Sequence, residues 1–362
     1  MKTVAEEGKA PFSGSTLHPF LAQGSLAMAQ SASNQGAAPS TTPAHQEETT
    51  FKKYNSTDAE RYAAYRPTYN PKLIELVIKQ HTSTDGQTLR VLDIGCGPGI
   101  ATRQIASYFQ HVLGIDASPA MIAKAQDTPC PSATGEQAEF QVCNSEEIDQ
   151  LYDPESIDLI TVATAAHWFD MPRFYAAAAK VLKPSGSIAM WCGGAFFVDP
   201  DTTPNAQAVQ AKWTELELEV LRPFEAPGNV LCRELYEGLP MPWTIDLDTV
   251  SADIAAAMPL FDESSSMRRE FNANGKPDPD PMFAETKGFM RHFRIPLDHV
   301  GRTLSTASPV TRWREAHREQ LDKGEIEDCV DRVIRVTKEN LPGQEWIEIA
   351  IATVLVIVKK RP

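Results

Sequence analysis

Three glycines spaced two apart close the stretch RVLDIGCGPG, residues 90–99, and Asp93 stands two positions ahead of the first of them. A glycine-rich turn between a strand and its helix lets a ligand lie against the backbone, where exposed N–H groups accept it. A turn built for a dinucleotide pyrophosphate reads G-x-G-x-x-G. Gly95 and Gly97 fit that pattern, but the third glycine is Gly99 and position 100 is Ile, so a nicotinamide dehydrogenase fails on the spacing. Farther on, Asp116 ends the run HVLGID. One carboxylate that accepts two hydroxyl hydrogens suits a diol; the alternative is that Asp116 caps the helix after it. A third group is TAAHWFD, residues 164–170, which sets His167 beside Trp168. Histidine near neutrality can act as a general base, and a hydrogen-bonded structural histidine is the plain alternative.

These residues need elements to hold them. Residues 90–94 read as a strand and GIATRQIASYF as the helix after the glycine turn. HVLGID is a second strand, and Ser118 with Pro119 opens the next helix. AEFQVC and SIDLITVAT are further strands, RFYAAAAKVLK is a helix, and GSIAMWC is a fifth strand after a Pro184-Ser185-Gly186 turn. Strands alternating with helices imply a parallel sheet covered on both faces. Ahead of them, Asn70 and Pro71 start a helix whose Leu73, Ile74, Val77 and Ile78 share one face. Beyond Gly194 the rhythm changes. NAQAVQAKWTELELEVL places Val209, Trp213, Leu216 and Val220 at helical spacing, NGKPDPDP (274–281) reads as a loop, and IAIATVLVIV is a buried strand too short to cross a bilayer.

Composition sets the outer bounds. The chain has 362 residues, 42% hydrophobic and 23% charged, with a formal net charge of −14. That charge argues against a nucleic-acid surface and against an anionic membrane, which recruit basic patches; a small-molecule partner remains. Residues 1–50 are rich in Ala, Ser, Gln, Pro, Gly and Thr and read as a disordered tail. The six cysteines show no C-x-x-C and no metal-ligand spacing, so no metal site is expected, and they read as reduced thiols of a cytoplasmic protein.

With its glycine string, Asp116 and the strand–helix context, the sequence resembles the class I S-adenosylmethionine-dependent methyltransferases. The resemblance implies an α/β, Rossmann-like, doubly wound sheet of seven strands in the order 3-2-1-4-5-7-6, its last strand antiparallel, with a mainly helical cap. The domains expected are a tail over 1–50, a cofactor-binding core over 51–194, a cap over 195–343 with a core strand near 267–272 (MRREFN), and a closing strand over 344–362. The cofactor implied is S-adenosyl-L-methionine. By the same resemblance Gly95, Gly97 and Gly99 admit its amino-acid end and ribose, Asp93 steadies the turn and meets the ammonium, and Cys96 is a further cofactor-binding candidate. Asp116 holds the ribose hydroxyls, and Ala117 and Met121 are further cofactor-binding candidates. Asn144 stands where the family usually has an acidic residue for the adenine amine, followed by Ser145; it either accepts that amine or caps a short helix with Glu147 completing a capping box.

Three pieces are similar to a narrower branch, the trans-aconitate methyltransferases and related fungal small-molecule methyltransferases: TAAHWFD, YAAYRPTY (62–69) and RELYEGLPMPW. That likeness implies Tyr62, Arg66 and Thr164 around the cofactor, with His167 and Trp168 facing the transferred methyl. The bland reading packs Tyr62, Tyr65 and Tyr69 on the sheet edge. Arg233, Tyr236, Trp243, Arg291, Arg294 and Trp313 are the candidates for a carboxylate-binding, aromatic-walled pocket in the cap. Where the branch carries an aromatic-rich Thr-Trp-Ser segment, this chain has LSTASPVTRW. The expected activity is O-methylation of a small carboxylic acid. The alternatives are a phenol, amine or thiol acceptor with His167 as base, or a non-catalytic cofactor-binding partner protein.

Overall fold

The computed structural model describes residues 49–83, 85–272 and 293–362. The tail over 1–48, the 274–281 loop and Arg291 lie outside the described residues.

An eight-stranded sheet runs in the order β3-β2-β1-β4-β5-β8-β6, with β7 beside β8. The strands are β1 (Arg90–Ile94), β2 (His111–Asp116), β3 (Glu139–Val142), β4 (Ile157–Ala163), β5 (Leu182–Val198), β6 (Phe261–Phe271), β7 (Phe293–Pro296) and β8 (Trp346–Lys360). The pairs among β1 to β5 are parallel, and β8 runs antiparallel to β5, β6 and β7. The expected order holds, with β8 in the place of the seventh strand. The added strand is β7, four residues long, which pairs with the start of β8 because β8 begins at Trp346 and outruns its partner β6. The sixth strand spans 261–271, not only the 267–272 expected. The Pro184-Ser185-Gly186 turn is also revised: it lies inside β5, where the register against β4 jumps from Ile157↔Leu182 to Leu159↔Ser187 and Ser185 adopts a φ of 61°.

Alternation along the strands explains why both faces are covered. Val91, Leu159, Ala189 and Trp191 join Leu73, Ile74 and Val77 of the helix Pro71–Thr82 in one apolar layer. Their neighbours Leu92, Ile160, Ile188 and Met190 join the alanine-rich helix Met171–Val181 in the other. The starts of these helices follow local chemistry. Asn70 accepts the N–H of Lys72 and Pro71 stands in the first turn; Ser118 accepts the N–H of Met121 and Pro119 follows it. Between β5 and β8 the described residues are mostly helical, and smaller cores form around Val209, Val300 and Ile347 and around Val310, Trp313 and Val330. Among the described residues no helix is long and apolar enough to cross a membrane, and none of the six cysteines is in a disulfide.

Candidate active site

The order of the sheet reverses between β1 and β4, which are neighbours, so the chain leaves them in opposite directions and a crevice opens over their C-terminal ends. A cavity of about 520 Å³ lies there, lined by Gly95, Cys96 and Gly97 after β1, by Asp116 and Ala117 after β2, and by Thr164 and His167 after β4. Gly97 has φ +55°, and a Cβ added there would meet nothing within 4 Å. Its wall is therefore backbone open to a ligand. The Gly97 N–H donates to Oδ2 of Asp116 at 2.9 Å, and the Ser118 N–H donates to Oδ1 at 2.8 Å. Two backbone donors thus aim the Asp116 carboxylate while it lines the cavity. The following helix is capped by Ser118, not by Asp116.

Asp93 does not reach the wall. It is 1% exposed beneath the turn, where it accepts hydroxyl hydrogens from Thr102 at 2.6 Å and Thr161 at 2.8 Å. Burial pushes its carboxyl up to about 6, and the two hydroxyls oppose that rise. It braces the turn against β4 from behind the cavity wall. Gly99 is likewise off the wall: it is the first residue before the helix Ile100–Ile105, with Arg103 and Phe140 against its α-carbon.

Met121, Asn144 and Ser145 line the cavity beyond Asp116. The Asn144 side chain does not cap its helix. Its Nδ2 donates to Oε2 of Glu147 at 3.0 Å, an orientation fixed because two oxygens cannot bond there. The amide oxygen is thereby the end free of that contact, as an adenine amine requires. Asp170 and Glu146 are tied together nearby, with the Asp170 N–H donating to Oε1 of Glu146 at 2.9 Å.

The other side of the cavity is cationic and aromatic. Tyr62 and Arg66 line it, with the guanidinium 5.0 Å from the Tyr62 ring centroid. Arg66 Nη2 donates to the Thr306 carbonyl at 3.4 Å, and its Nε is buried with no hydrogen-bond partner among the described residues. His167 and Trp168 also line the cavity, with ring centroids 4.7 Å apart. Burial, and then the charge of Arg66, push His167 down to about 3. It is held neutral near pH 7.

The cap candidates are not brought together. Among the described residues none of Arg233, Tyr236, Trp243, Arg294 and Trp313 lines this cavity. Arg233 pairs with Glu225 at 3.2 Å, and Arg294 stacks on Trp346 at 3.7 Å. Trp313 stacks on His317 at 4.5 Å inside a satellite core, and Trp243 packs on the main core. Tyr236 sits behind His167. In their place the structure sets Phe51, Lys52, Asn229, Cys232 and Ser308 on the wall. Ser308 comes from the divergent LSTASPVTRW stretch; its hydroxyl accepts from Asn229 at 3.0 Å, and Arg312 braces both. Tyr69 also lines the cavity. Its backbone N–H and carbonyl are both held by the Gln104 amide, at 2.9 and 2.6 Å, and its hydroxyl is 3.1 Å from Oγ1 of Thr164. Thr164 itself has φ +57°, an uncommon state for a β-branched residue. The RPTY tyrosine was the available signal; Phe51 and Lys52, next to the tail, offered none.

Comparison with known proteins places this geometry. Residues 91–186 match the model of a methyltransferase domain family. Over 144 residues the chain is 30% identical to a probable S-adenosylmethionine-dependent methyltransferase, CRG1, of Saccharomyces cerevisiae, covering 40% of this chain and 47% of that one. It is 36% identical over 104 residues to a trans-aconitate 2-methyltransferase of Deinococcus radiodurans, covering 28% and 36%. A solved structure, of a candidate type II methyltransferase of Anaeromyxobacter dehalogenans, superposes with a TM-score of 0.53 at 21% identity, covering 82% of this chain and 98% of that one, and shares the fold. The chain spans about half the length of the curated relatives it matches.

Proposed function

From the premise that this chain carries a class I S-adenosylmethionine-dependent methyltransferase domain, we propose that it methylates a carboxylate oxygen of a small organic acid. S-Adenosylmethionine supplies an electrophilic methyl group on a sulfonium. The residues of the cavity suit that group: the open backbone at Gly97, the oriented Asp116 carboxylate for a ribose diol, and the Asn144 amide oxygen for an amine.

The observation that carries the acceptor class is the pairing of Arg66 with His167. Arg66, whose buried Nε has no hydrogen-bond partner among the described residues, lines the same cavity as an imidazole held neutral. That pair favours an anionic oxygen, which accepts hydrogen bonds and arrives without a proton to remove. Arg66 binds and orients the acid; Trp168, Phe51 and Tyr62, whose rings meet edge-on at 5.9–6.3 Å, keep water from the site. The name of the Deinococcus relative specifies an acid as acceptor, which agrees with this reading.

The test is formation of S-adenosylhomocysteine and of a base-labile methyl ester by the purified chain, across carboxylic acids, phenols, amines and thiols. Turnover with acids alone is expected. Turnover confined to protonated acceptors, or absence of cofactor binding, would overturn the proposal.

A further inference from the structure

The cap residue that sequence reasoning assigned to the substrate sits one layer deeper. Tyr236 is 2% exposed, and its hydroxyl lies 3.1 Å from Nδ1 of His167. The chain reaches this point through a cramped path. The helix Pro227–Arg233 packs so closely on the histidine segment that a Cβ at Gly228 would come within 2.7 Å of the His167 carbonyl oxygen and of the Trp168 ring. Two consecutive non-glycine residues then turn left-handed, Leu235 at φ 52° and Tyr236 at φ 61°, and the Tyr236 N–H is tied to the Leu231 carbonyl at 2.8 Å. Strain of this kind persists only where the surroundings over-determine it, and it gathers at functional sites. What it achieves here is to set one phenol hydroxyl under one imidazole nitrogen.

We propose that Tyr236 is a positioning residue that donates its hydroxyl hydrogen to Nδ1 of His167 and so holds the neutral ring with its proton on Nε2, as a hydrogen-bond donor to the methyl acceptor. Proton accounting supports the direction. Among the described residues the Cys192 thiol is also a side-chain neighbour of the Tyr236 hydroxyl, and it donates to the Cys232 carbonyl at 3.7 Å. A thiol sulfur is a weak acceptor and an imidazole nitrogen a strong one, so the phenol proton goes to the ring. Burial keeps both the phenol and the thiol protonated. With Nδ1 occupied from the core side, Nε2 must carry the ring proton, and it has no hydrogen-bond partner among the described residues. A ring N–H attracts a carboxylate oxygen, whereas the other tautomer would turn a lone pair against it. The inference rests on the carboxylate reading for its purpose, but the tautomer itself is a property of the protein alone.

The experiment uses the full chain labelled with ¹⁵N-histidine and bound to S-adenosylmethionine. The imidazole spectrum of the unaltered protein is expected to show His167 with Nδ1 bare and the proton on Nε2. Tyr236→Phe keeps the ring and removes the hydroxyl. It should mix the two tautomers and raise the KM for the acid about tenfold, more than it lowers kcat, with cofactor Kd unchanged. In a His167→Gln background a side-chain amide supplies the donor whatever lies behind it, so adding Tyr236→Phe should leave the KM unmoved. A merely structural tyrosine would lower the melting temperature without these selective effects. A proton found on Nδ1 in the unaltered protein, or an equal effect of Tyr236→Phe in both backgrounds, would overturn the proposal. An Nε2 proton in a protein that methylates no acid would sink the carboxylate reading and leave the tautomer lock standing.

Discussion

Replacing Gly97 by Ala separates what the backbone needs from what the ligand needs. Its φ of +55° is left-handed, which costs an L-residue about 1–2 kcal/mol, and the added methyl meets no atom of the described residues within 4 Å. Gly324 is a matched control: its φ is +68°, its Cβ would also meet nothing, and it does not line the cavity. Gly97→Ala and Gly324→Ala should therefore melt alike without ligand, each a few degrees below the unaltered protein. They should part when S-adenosylmethionine is added. At a concentration 100 times its Kd a ligand stabilises by about 2.7 kcal/mol, and a tenfold loss of affinity cuts this to about 1.4 kcal/mol. Calorimetric titration and thermal melts with cofactor give both quantities, and only Gly97→Ala should show the loss. Equal cofactor affinity in the two variants would refute the placement of the ligand along this turn.

Three other changes give independent readings. Arg66→Lys keeps the charge but loses the planar fork, so the KM for an acid acceptor should rise about tenfold in initial-rate measurements while cofactor Kd holds. Asn144→Asp sets a carboxylate against Glu147, 3.0 Å from the present amide nitrogen, and should weaken cofactor binding about tenfold by titration; no change would move the adenine contact elsewhere. His81 is fully buried, 2.7 Å from the Ser187 hydroxyl and 2.8 Å from the Gln87 carbonyl, and burial pushes its pKa down. A depressed folded value means that its contribution is complete above the unfolded pKa near 6.5 and is lost as pH falls from there toward the folded value. Urea melts at pH 5 and pH 7.5 should show this decline, and His81→Gln should reduce it.

The sheet was legible because its signals are local. Asn70, Ser118 and the alternation of Val91 with Leu92 each report on their own neighbours, and the glycine string fixes where the crevice must lie. Asp116, which ends a strand, and Asn144, which follows one, line the cavity for the same reason. Sequence places Asp93 beside the turn without saying that its oxygens accept from Thr102 and Thr161 beneath it. The cap failed for a related reason. Arg233 and Arg294 are the right residue types for an acid, but Glu225 and Trp346 engage them, and those partners lie 8 and 52 residues away. Which cation faces the cavity is decided by pairing across the fold, and a residue list does not contain that information.

The position of β8 has a consequence for how the protein is made. This strand, the last in sequence, lies between β5 and β6 and also receives β7, with Ser187 paired to Lys359 and Phe271 to Thr353. While a ribosome is still adding residues before Trp346, β5 has a bare edge with Ile188, Met190 and Trp191 along it, and β6 and β7 have nothing to pair with. An apolar strand edge of that kind is a template for any other chain nearby. The speed of translation through the cap therefore sets how long a nascent molecule stays vulnerable, and slow codons or a stall in residues 199–345 should send more of the product into aggregates than the same delay earlier in the chain.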